Sequence, residues 1–390
     1  MVEATLQAGL EIAEVKRIAE LDGLRGFALG GIALSNVLWF SGYAVATAEA
    51  RSDFWLDPAI TFALHLCVDG KFYALFSLLF GASFALMVAR EQAHGRSAKS
   101  LVRRRLLSLL VLGLAHATVL WFGDIVSLYA VAAVPLWALL RRSNRALVWW
   151  AVGLLASPLA ISSVLLIVAG PNEATTSGYG PAAQLPAFAS GSYRELVSAN
   201  GAFLVQRWVL ALTSGRLPRL LGMFLLGVLL LRQRPTLTPR ARSTLWLTAV
   251  LSNVAMAVLS NVPAQPPSNL GLLRDAVTCI AVPSGCLAYA SALWPMLANP
   301  GRVATALVAA GRLSLTHYLS QSLVFATVFY GCGFGLWGRL GATSAVAVGG
   351  TLALLQIACS PAWLRHFGTG PCERALRALD GVLAARKPAG

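Results

Sequence analysis

The chain has 390 residues, of which 57% are hydrophobic and only 12% are charged, about half the charged share of an ordinary soluble domain. The mean hydropathy is +0.68, and several apolar runs reach the roughly 20 residues that cross a bilayer core. These runs are too long and continuous for barrel strands. The composition therefore excludes a soluble globular protein and predicts an all-α, polytopic transmembrane helical bundle.

Ten apolar stretches are predicted to be spans, in this order: 24–48, 71–89, 106–122, 125–140, 146–169, 217–231, 243–261, 273–292, 313–330 and 343–361. The shorter apolar stretches 58–68 and 202–214 are predicted to be interfacial or re-entrant helices. The polar stretch 170–201 is the only sizeable loop, and we place it outside the cell. No soluble domain can be separated, so we treat 1–390 as one membrane domain that ends in a cytoplasmic tail, 362–390.

The first residues differ from a cleaved signal peptide. The segment 1–16 contains Glu3, Glu11 and Glu14 and has no basic region before its first apolar residues. We therefore expect the first span to stay in the membrane as an anchor. The six cysteines form no C-x-x-C pair, and most lie in or beside apolar runs, so neither a metal site nor a disulfide framework is predicted.

The net charge of +15 is unevenly distributed along the chain. If both termini are inside, the cytoplasmic segments hold 23 of the 31 Lys and Arg residues. This is the positive-inside bias, and it predicts the N-in, C-in orientation. Because the bias explains most of the positive charge, we expect no nucleic acid as a partner; the partner of these surfaces is the lipid bilayer.

Two polar residues lie deep inside predicted spans. Asn36 is 12 residues beyond Leu24, about 18 Å along a helix, and His116 is 10 residues beyond Leu106, about 15 Å. An imidazole and an amide at similar depth could transfer a proton and orient a carbonyl. The alternative is that each only hydrogen-bonds a neighbouring helix. We predict His116 and Asn36 as catalytic residues facing a shared pocket.

Two carboxylates lie at predicted span ends. Asp124 follows the third span and precedes the fourth, where it could cap a helix N-terminus. Asp22 could do the same for the first span, or could hold Arg25 through a local ion pair. Arg25 is expected at the cytoplasmic rim, beside Gly26, which would let another helix approach closely. Asp22, Arg25 and Asp124 are candidate binding residues.

Several basic residues could bind an anionic ligand. Arg103, Arg104 and Arg105 precede the third span and could meet anionic lipid or a phosphate-bearing ligand, or could only set the topology. Lys71 is expected at the outer end of the second span, where it could bind a ligand or simply extend toward water. Arg312 is expected at the cytoplasmic entrance of a later span.

The stretch GRLSLTHYLSQS, 311–322, is unusually polar for the start of a span. Thr316, His317 and Gln321 fall near one helical face, with Tyr318 adjacent. This pattern indicates either a hydrated vestibule or a helix–helix contact. Tyr318 and Gln321 are candidate binding residues, and the role of His317 is left open.

Five stretches together resemble the YeiB-like family of bacterial integral membrane proteins, a domain of unknown function. They are LDGLRGFALGGIALSN (21–36), GKFYALFSLLFGASFAL (70–86), GLAHATVLWFGDI-x-x-x-YA (113–130), GRLSLTHYLSQS (311–322) and WLRHFGTGPCERALR (363–377). The resemblance covers nearly the whole chain and implies the bacterial cytoplasmic (inner) membrane as the location. His317 departs from the family pattern, in which Asn usually precedes the Tyr.

The wider resemblance is to transmembrane acyltransferases, including the heparan-alpha-glucosaminide N-acetyltransferase group. They share an Asp-x-x-Arg-Gly head and a mid-span Asn, and they pass an acyl group from cytosolic acyl-CoA to a sugar across the membrane. In that group a His follows the Asn in the outer loop. Here Val37 to Leu64 contains no His and His65 comes too late, so the proposed pairing of His116 with Asn36 rests on the residues of this chain.

Three functional hypotheses follow. The first is an acyltransferase with acyl-CoA as donor and a sugar, lipid or metabolite as acceptor; acyl-CoA phosphates would meet Arg25, Arg103, Arg104, Arg105 and Arg312. The second is a transporter or flippase for a small or lipid-linked molecule, although paired halves with matching broken helices are not evident. The third is a membrane partner without catalytic activity. The resemblance favours the first.

Overall fold

A computed structural model describes residues 18–45, 54–169, 185–262, 268–299 and 301–385. The regular secondary structure of these residues is entirely helical, as predicted. The helices are α1 (Ala19–Phe40), α2 (Asp57–Cys67), α3 (Lys71–Ala93), α4 (Ala98–Val119), α5 (Val126–Leu139), α6 (Asn144–Ala169), α7 (Leu185–Ser190), α8 (Tyr193–Thr213), α9 (Arg216–Gln233), α10 (Pro239–Ser260), α11 (Asn269–Ala298), α12 (Arg302–Arg312), α13 (Ser314–Phe329), α14 (Ala342–Phe367) and α15 (Pro371–Ala385).

Each of the ten predicted spans coincides with one helix, with ends that shift by a few residues. The largest shifts, of eight residues, are at the start of α4, which begins at Ala98 instead of residue 106, and at the end of α1, which ends at Phe40 instead of residue 48. Helix α1 also begins earlier than predicted, at Ala19 instead of residue 24. Asp22 therefore lies in the first turn of α1, and Ile18 occupies the position that caps it. The prediction that Asp22 could cap this helix is wrong, because the charged residues Glu20 and Asp22 lie within the first turn of the helix instead of preceding it.

Seven segments of the described chain are long and apolar enough to cross a membrane, as expected for a multi-pass membrane protein. They are α1, α2 together with α3, α6, α8, α10, α11 and α14. The prediction for 202–214 was too short, because this stretch is part of the 21-residue helix α8. The number of ten spans and the N-in, C-in orientation stay predictions.

The predicted loop and the predicted tail both contain helices. Within the predicted loop 170–201, α7 and the first residues of α8 are helical. Within the predicted tail 362–390, α14 continues to Phe367 and α15 follows. The structure does not describe residues 170–184 of the predicted loop. The segment 1–16, which the sequence predicts not to be a cleaved signal peptide, also lies outside the described residues.

Glycines allow several helices to touch backbone to backbone. A Cβ on Gly26 would lie 2.1 Å from the carbonyl oxygen of Leu307, so α1 packs directly on α12, as predicted for Gly26. A Cβ on Gly227 would lie 1.9 Å from the carbonyl oxygen of Leu78, so α9 packs equally closely on α3. These contacts hold α1, α3, α9 and α12 together around the interior of the bundle.

Candidate active site

Helices α4 and α5 form a hairpin whose six-residue turn, 120–125, is largely buried. The two helices approach closely at Gly113, where a Cβ would lie 2.3 Å from the backbone nitrogen of Ser127. Trp121 in the turn packs against Phe40 at the end of α1, with ring centroids 4.6 Å apart. Helix packing therefore encloses this turn inside the protein and shields it from bulk water.

A buried His–Asp pair spans the turn. The Nδ1 atom of His116 lies 3.0 Å from Oδ1 of Asp124, and the two side chains are only 1% and 0% exposed. The other carboxylate oxygen, Oδ2, accepts a hydrogen bond of 2.7 Å from the backbone N–H of Ser127. Asp124 thus caps the start of α5, as predicted, and also contacts His116.

The pair determines which imidazole nitrogen carries the proton. An ionised carboxylate only accepts hydrogen bonds, so Nδ1 of His116 must donate to Asp124. The lone pair of His116 is then on Nε2, which is buried and has no hydrogen-bond partner among the residues that the structure describes. An imidazole oriented in this way by a carboxylate is suited to accept a proton from a substrate.

Tyr318 separates this pair from a cavity of about 330 Å³. Its ring lies 5.1 Å from the ring of His116, and its hydroxyl accepts a hydrogen bond of 3.3 Å from the backbone N–H of Ile125. Tyr318 and Ile125 both line the cavity, together with Tyr129. Most other lining residues are apolar: Leu29, Ile32, Phe76, Phe80, Phe84, Met87, Leu109, Val126, Leu315 and Leu376.

The opposite end of the cavity is cationic. Arg25 pairs with Asp22 at 2.7 Å, which confirms the predicted local ion pair, and it donates a hydrogen bond to Ser83. Arg105 pairs with Asp380 of α15 at 3.1 Å. Both arginines line the cavity. The cavity therefore combines guanidinium groups at one end with an apolar interior that leads to Tyr318.

Other candidate cations lie elsewhere. Arg103 is exposed and Arg104 is half-buried, and neither lines this cavity. Arg312 lines a separate cavity with Arg365, so the structure does not bring it to Arg25. Lys71 is 1% exposed and does not extend toward water. Its ammonium donates to the carbonyls of His65 and Asp69, 2.8 and 3.1 Å away, near the end of α2.

The polar face of α13 forms a helix–helix contact. Gln321 donates to Gln356 of α14 at 2.7 Å, and Nε2 of His317 lies 2.7 Å from Oγ of Ser360, also in α14. Of the two readings of this stretch, the geometry favours the contact over a hydrated vestibule. Tyr318 lies on another side of α13 and lines the cavity together with Ser314 and Leu315 of the same stretch.

Asn36 is half-buried, and no hydrogen bond joins it to His116 in the described part of the chain. It is one turn beyond Ile32 and two turns beyond Leu29, and both of these residues line the cavity. Asn36 therefore follows the cavity-lining face of α1. Its role as a catalytic partner of His116 stays a prediction.

Sequence reasoning missed Arg207 of α8. Its Nη2 atom donates to the carbonyl of Gly123 in the buried turn, 3.2 Å away, and Nε has no partner among the described residues. The guanidinium is close enough to interact electrostatically with Asp124, Tyr73 and Tyr318. The signal was present, because Arg207 is the single charged residue in the apolar stretch 202–214.

The chain is similar to a family of proteins of unknown function and to two uncharacterized bacterial proteins. The family model described as "Protein of unknown function (DUF418)" matches residues 228–381. The chain is 28% identical over 407 residues to the uncharacterized protein YeiB of Escherichia coli (strain K12), covering 96% of this chain and 98% of YeiB. The chain is similar to YeiB along almost its whole length. The family resemblance read from the sequence is confirmed.

A second relative spans almost the same length. The uncharacterized protein YxaH of Bacillus subtilis (strain 168) is 26% identical over 390 residues, which cover 92% of each chain. No solved structure matches the chain. Both relatives are uncharacterized, so the chemistry of this chain is inferred from its own geometry.

Proposed function

We propose that the protein is an integral membrane acyltransferase. It would move an acyl group from cytosolic acyl-CoA to a hydroxyl or amine on a sugar, lipid or metabolite at the extracytoplasmic side or within the membrane. One observation carries the proposal: the His116–Asp124 pair, with the Nε2 atom of His116 unpartnered among the described residues, lies behind Tyr318 at one end of a cavity whose other end holds Arg25 and Arg105.

The cavity has the polarity of an acyl-CoA site. Guanidinium groups bind phosphate oxygens through paired hydrogen bonds, and an apolar interior suits an acyl chain. A volume of about 330 Å³ is smaller than a whole acyl-CoA. The nucleotide therefore stays at the end with Arg25 and Arg105, and the acyl end points toward Tyr318. Metal ions have no part in this proposal.

The transfer step uses His116 as a general base. The acceptor oxygen or nitrogen forms a bond to the thioester carbonyl carbon while its proton passes to Nε2 of His116. The C–S bond then breaks, and the CoA thiolate takes the proton from His116. The hydroxyl of Tyr318, or the amide of Asn36 as the sequence predicts, donates to the carbonyl oxygen as negative charge develops.

The proposed location is the bacterial cytoplasmic membrane, with the N- and C-termini inside. In this orientation Arg25, Arg105 and α15 face the cytosol, where acyl-CoA is made available. The buried turn 120–125 is then reached from the other side by the acceptor. The positive-inside distribution of Lys and Arg supports this orientation.

The test measures consumption of acetyl-CoA by purified protein in nonionic detergent, with a mixture of sugars, glycerol derivatives and amines as acceptors. We expect His116→Gln to abolish release of free CoA. His94→Gln, which alters an exposed histidine at the end of α3, should leave it unchanged. Equal rates for His116→Gln and wild type would remove His116 from the mechanism, and failure of wild type to bind acetyl-CoA would reject the proposal.

The second candidate function is transport of a small or lipid-linked molecule. The break between α8 and α9 at Gly215 favours it, because a Cβ on Gly215 would lie 2.8 Å from the backbone nitrogen of Pro158, inside α6. Interrupted helices that meet inside a bundle are typical of transporter sites. Uptake of a labelled solute by protein-containing vesicles without acyl-CoA would support transport and count against acyl transfer.

A further inference from the structure

A second cavity of about 260 Å³ lies between α3, α6, α9, α10 and α11. Two arginines line it: Arg219 in the first turn of α9 and Arg274 in α11. Its size is near the lower end of small-molecule sites, roughly 300–1,000 Å³. In the proposed orientation this cavity belongs to the extracytoplasmic half of the protein, because the end of α10 and the start of α11 both line it.

Arg219 lines this cavity without a side-chain partner among the described residues. Its side chain is half-buried, and no hydrogen bond or ion pair joins it to any residue in the part of the chain that the structure describes. A guanidinium that faces a cavity and has no protein partner offers its N–H donors to a carboxylate or phosphate. A second cation, Arg216, interacts with it electrostatically and adds to the positive potential.

The remaining charged groups of the cavity already have partners. Arg274 donates to the carbonyls of Leu259 and Val262 near the end of α10. His65 pairs with Asp69 at 2.7 Å. Asp275 does not line the cavity; it accepts a hydrogen bond from Ser162 and lies within electrostatic range of Arg219 without forming an ion pair. Arg219 is thus the charge in this cavity that a ligand can satisfy.

A pair of tyrosines links the two cavities. Tyr73 lines the second cavity and Tyr129 lines the first, and their ring centroids lie 6.3 Å apart. The hydroxyl of Tyr73 is buried and has no partner among the described residues, and Tyr73 interacts electrostatically with Arg207 at the buried turn. A molecule in the second cavity would therefore lie across one aromatic layer from the first.

We propose that the second cavity binds a small water-soluble molecule that carries an oxyanion, phosphate or carboxylate, and that Arg219 binds this group through its guanidinium. Within the proposed acyltransferase, such a molecule would be the acceptor, and it would have to pass the layer of Tyr73 and Tyr129 before it reacts in the first cavity. The binding site itself does not depend on that reaction, since Arg219 and its surroundings are separate from the cavity that contains Arg25 and Arg105.

The test is isothermal titration of purified protein in nonionic detergent without acyl-CoA. The probes are glycerol 3-phosphate, glycerate and glycerol, which share a three-carbon skeleton and differ in the anionic group. We expect one or both anions to bind and glycerol not to bind. Arg219→Gln should weaken anion binding at least tenfold. Arg242→Gln removes the same charge from the exposed start of α10 and should bind like wild type.

Two further measurements decide difficult cases. Arg219→Lys keeps the positive charge but cannot form bidentate hydrogen bonds to the phosphate. We therefore expect its affinity for glycerol 3-phosphate to lie between those of wild type and Arg219→Gln, and this variant serves as the test if Arg219→Gln is poorly folded. Anion binding that is equal in wild type and Arg219→Gln would overturn the inference, as would wild type that binds neither anion. Anion binding at Arg219 in a protein that fails to bind acetyl-CoA would uphold this site and reject the acyltransferase.

Discussion

His116 and Asp124 come from the end of α4 and from the turn before α5, and their side chains meet with Nδ1 and Oδ1 3.0 Å apart. The same carboxylate caps α5 through the N–H of Ser127. Asp124 thus caps the start of α5 and also orients the imidazole of His116. The predictions below separate the functional consequences of this arrangement from its structural ones.

The orientation of His116 predicts a large effect of Asp124→Asn. The amide oxygen of Asn can still accept from Ser127, but its NH₂ then faces Nδ1 of His116. Nδ1 must become an acceptor, so the proton moves to Nε2 and the base is lost. We expect turnover of acetyl-CoA to fall by about 10²-fold or more, with unchanged binding of acetyl-CoA in titration calorimetry.

The control for Asp124→Asn is Glu91→Gln, which neutralises a carboxylate that pairs with the exposed Arg96. This variant should turn over acetyl-CoA like wild type. If Asp124→Asn retained full turnover, the carboxylate would serve only as a helix cap.

The cationic end of the cavity predicts a defect in donor binding. Arg25→Gln and Arg105→Gln each remove a guanidinium from the cavity, and each should weaken binding of acetyl-CoA by about tenfold, equal to about 1.4 kcal/mol. Arg103→Gln removes an exposed charge from the same helix as Arg105 and should bind normally.

The measurement is titration of acetyl-CoA at two salt concentrations, because phosphate contacts weaken as salt rises. Dephospho-CoA, which lacks one phosphate, serves as a second ligand. Identical affinities for Arg103→Gln and Arg105→Gln would show that the cavity does not bind the donor phosphates.

Close helix packing predicts that Gly227→Ala is strongly destabilising. A methyl group there would meet the carbonyl oxygen of Leu78 at 1.9 Å, so α9 and α3 must separate. We expect a cost of about 1–3 kcal/mol and a lower melting temperature in detergent. Gly153→Ala, at an open position in the middle of α6, is the matched control and should melt like wild type or slightly higher.

The contact between α15 and α13 predicts a stabilising role for Glu373. Its carboxylate accepts hydrogen bonds from the backbone N–H groups of Leu315 and Thr316 and from the hydroxyl of Thr316. It therefore caps α13 from a distant part of the chain. Glu373→Ala should cost about 1–2 kcal/mol, measured as a lower melting temperature.

The same variant tests whether α15 covers the first cavity. Leu376 lines that cavity and Asp380 pairs with Arg105, so loosening α15 should also weaken acetyl-CoA binding. Glu373→Gln, which keeps an acceptor oxygen, should recover part of the stability. Normal melting of Glu373→Ala would mean that water replaces this cap without cost.

The sequence by itself determined the helical membrane class, the position of almost every long helix and the resemblance to the YeiB-like family. Long runs of apolar side chains are unfavourable in water, and a backbone in lipid must form its hydrogen bonds within its own helix. The membrane class and the helix positions therefore depend on local sequence and appear directly in the hydrophobic pattern. The capping role of Asp124 was also readable, because it depends only on the residues next to one helix start.

Only the tertiary structure decided which side chains meet. It brought His116 into contact with Asp124 and Tyr318, and in the described part of the chain it shows no hydrogen bond between His116 and Asn36. It placed Arg312 and Arg25 in separate cavities. It also brought Arg207 to the buried turn. These contacts depend on how helices distant in sequence rotate and cross. Glycine contacts such as Gly26 on Leu307 set those crossings, and periodicity along one helix carries no information about the partner that another helix presents.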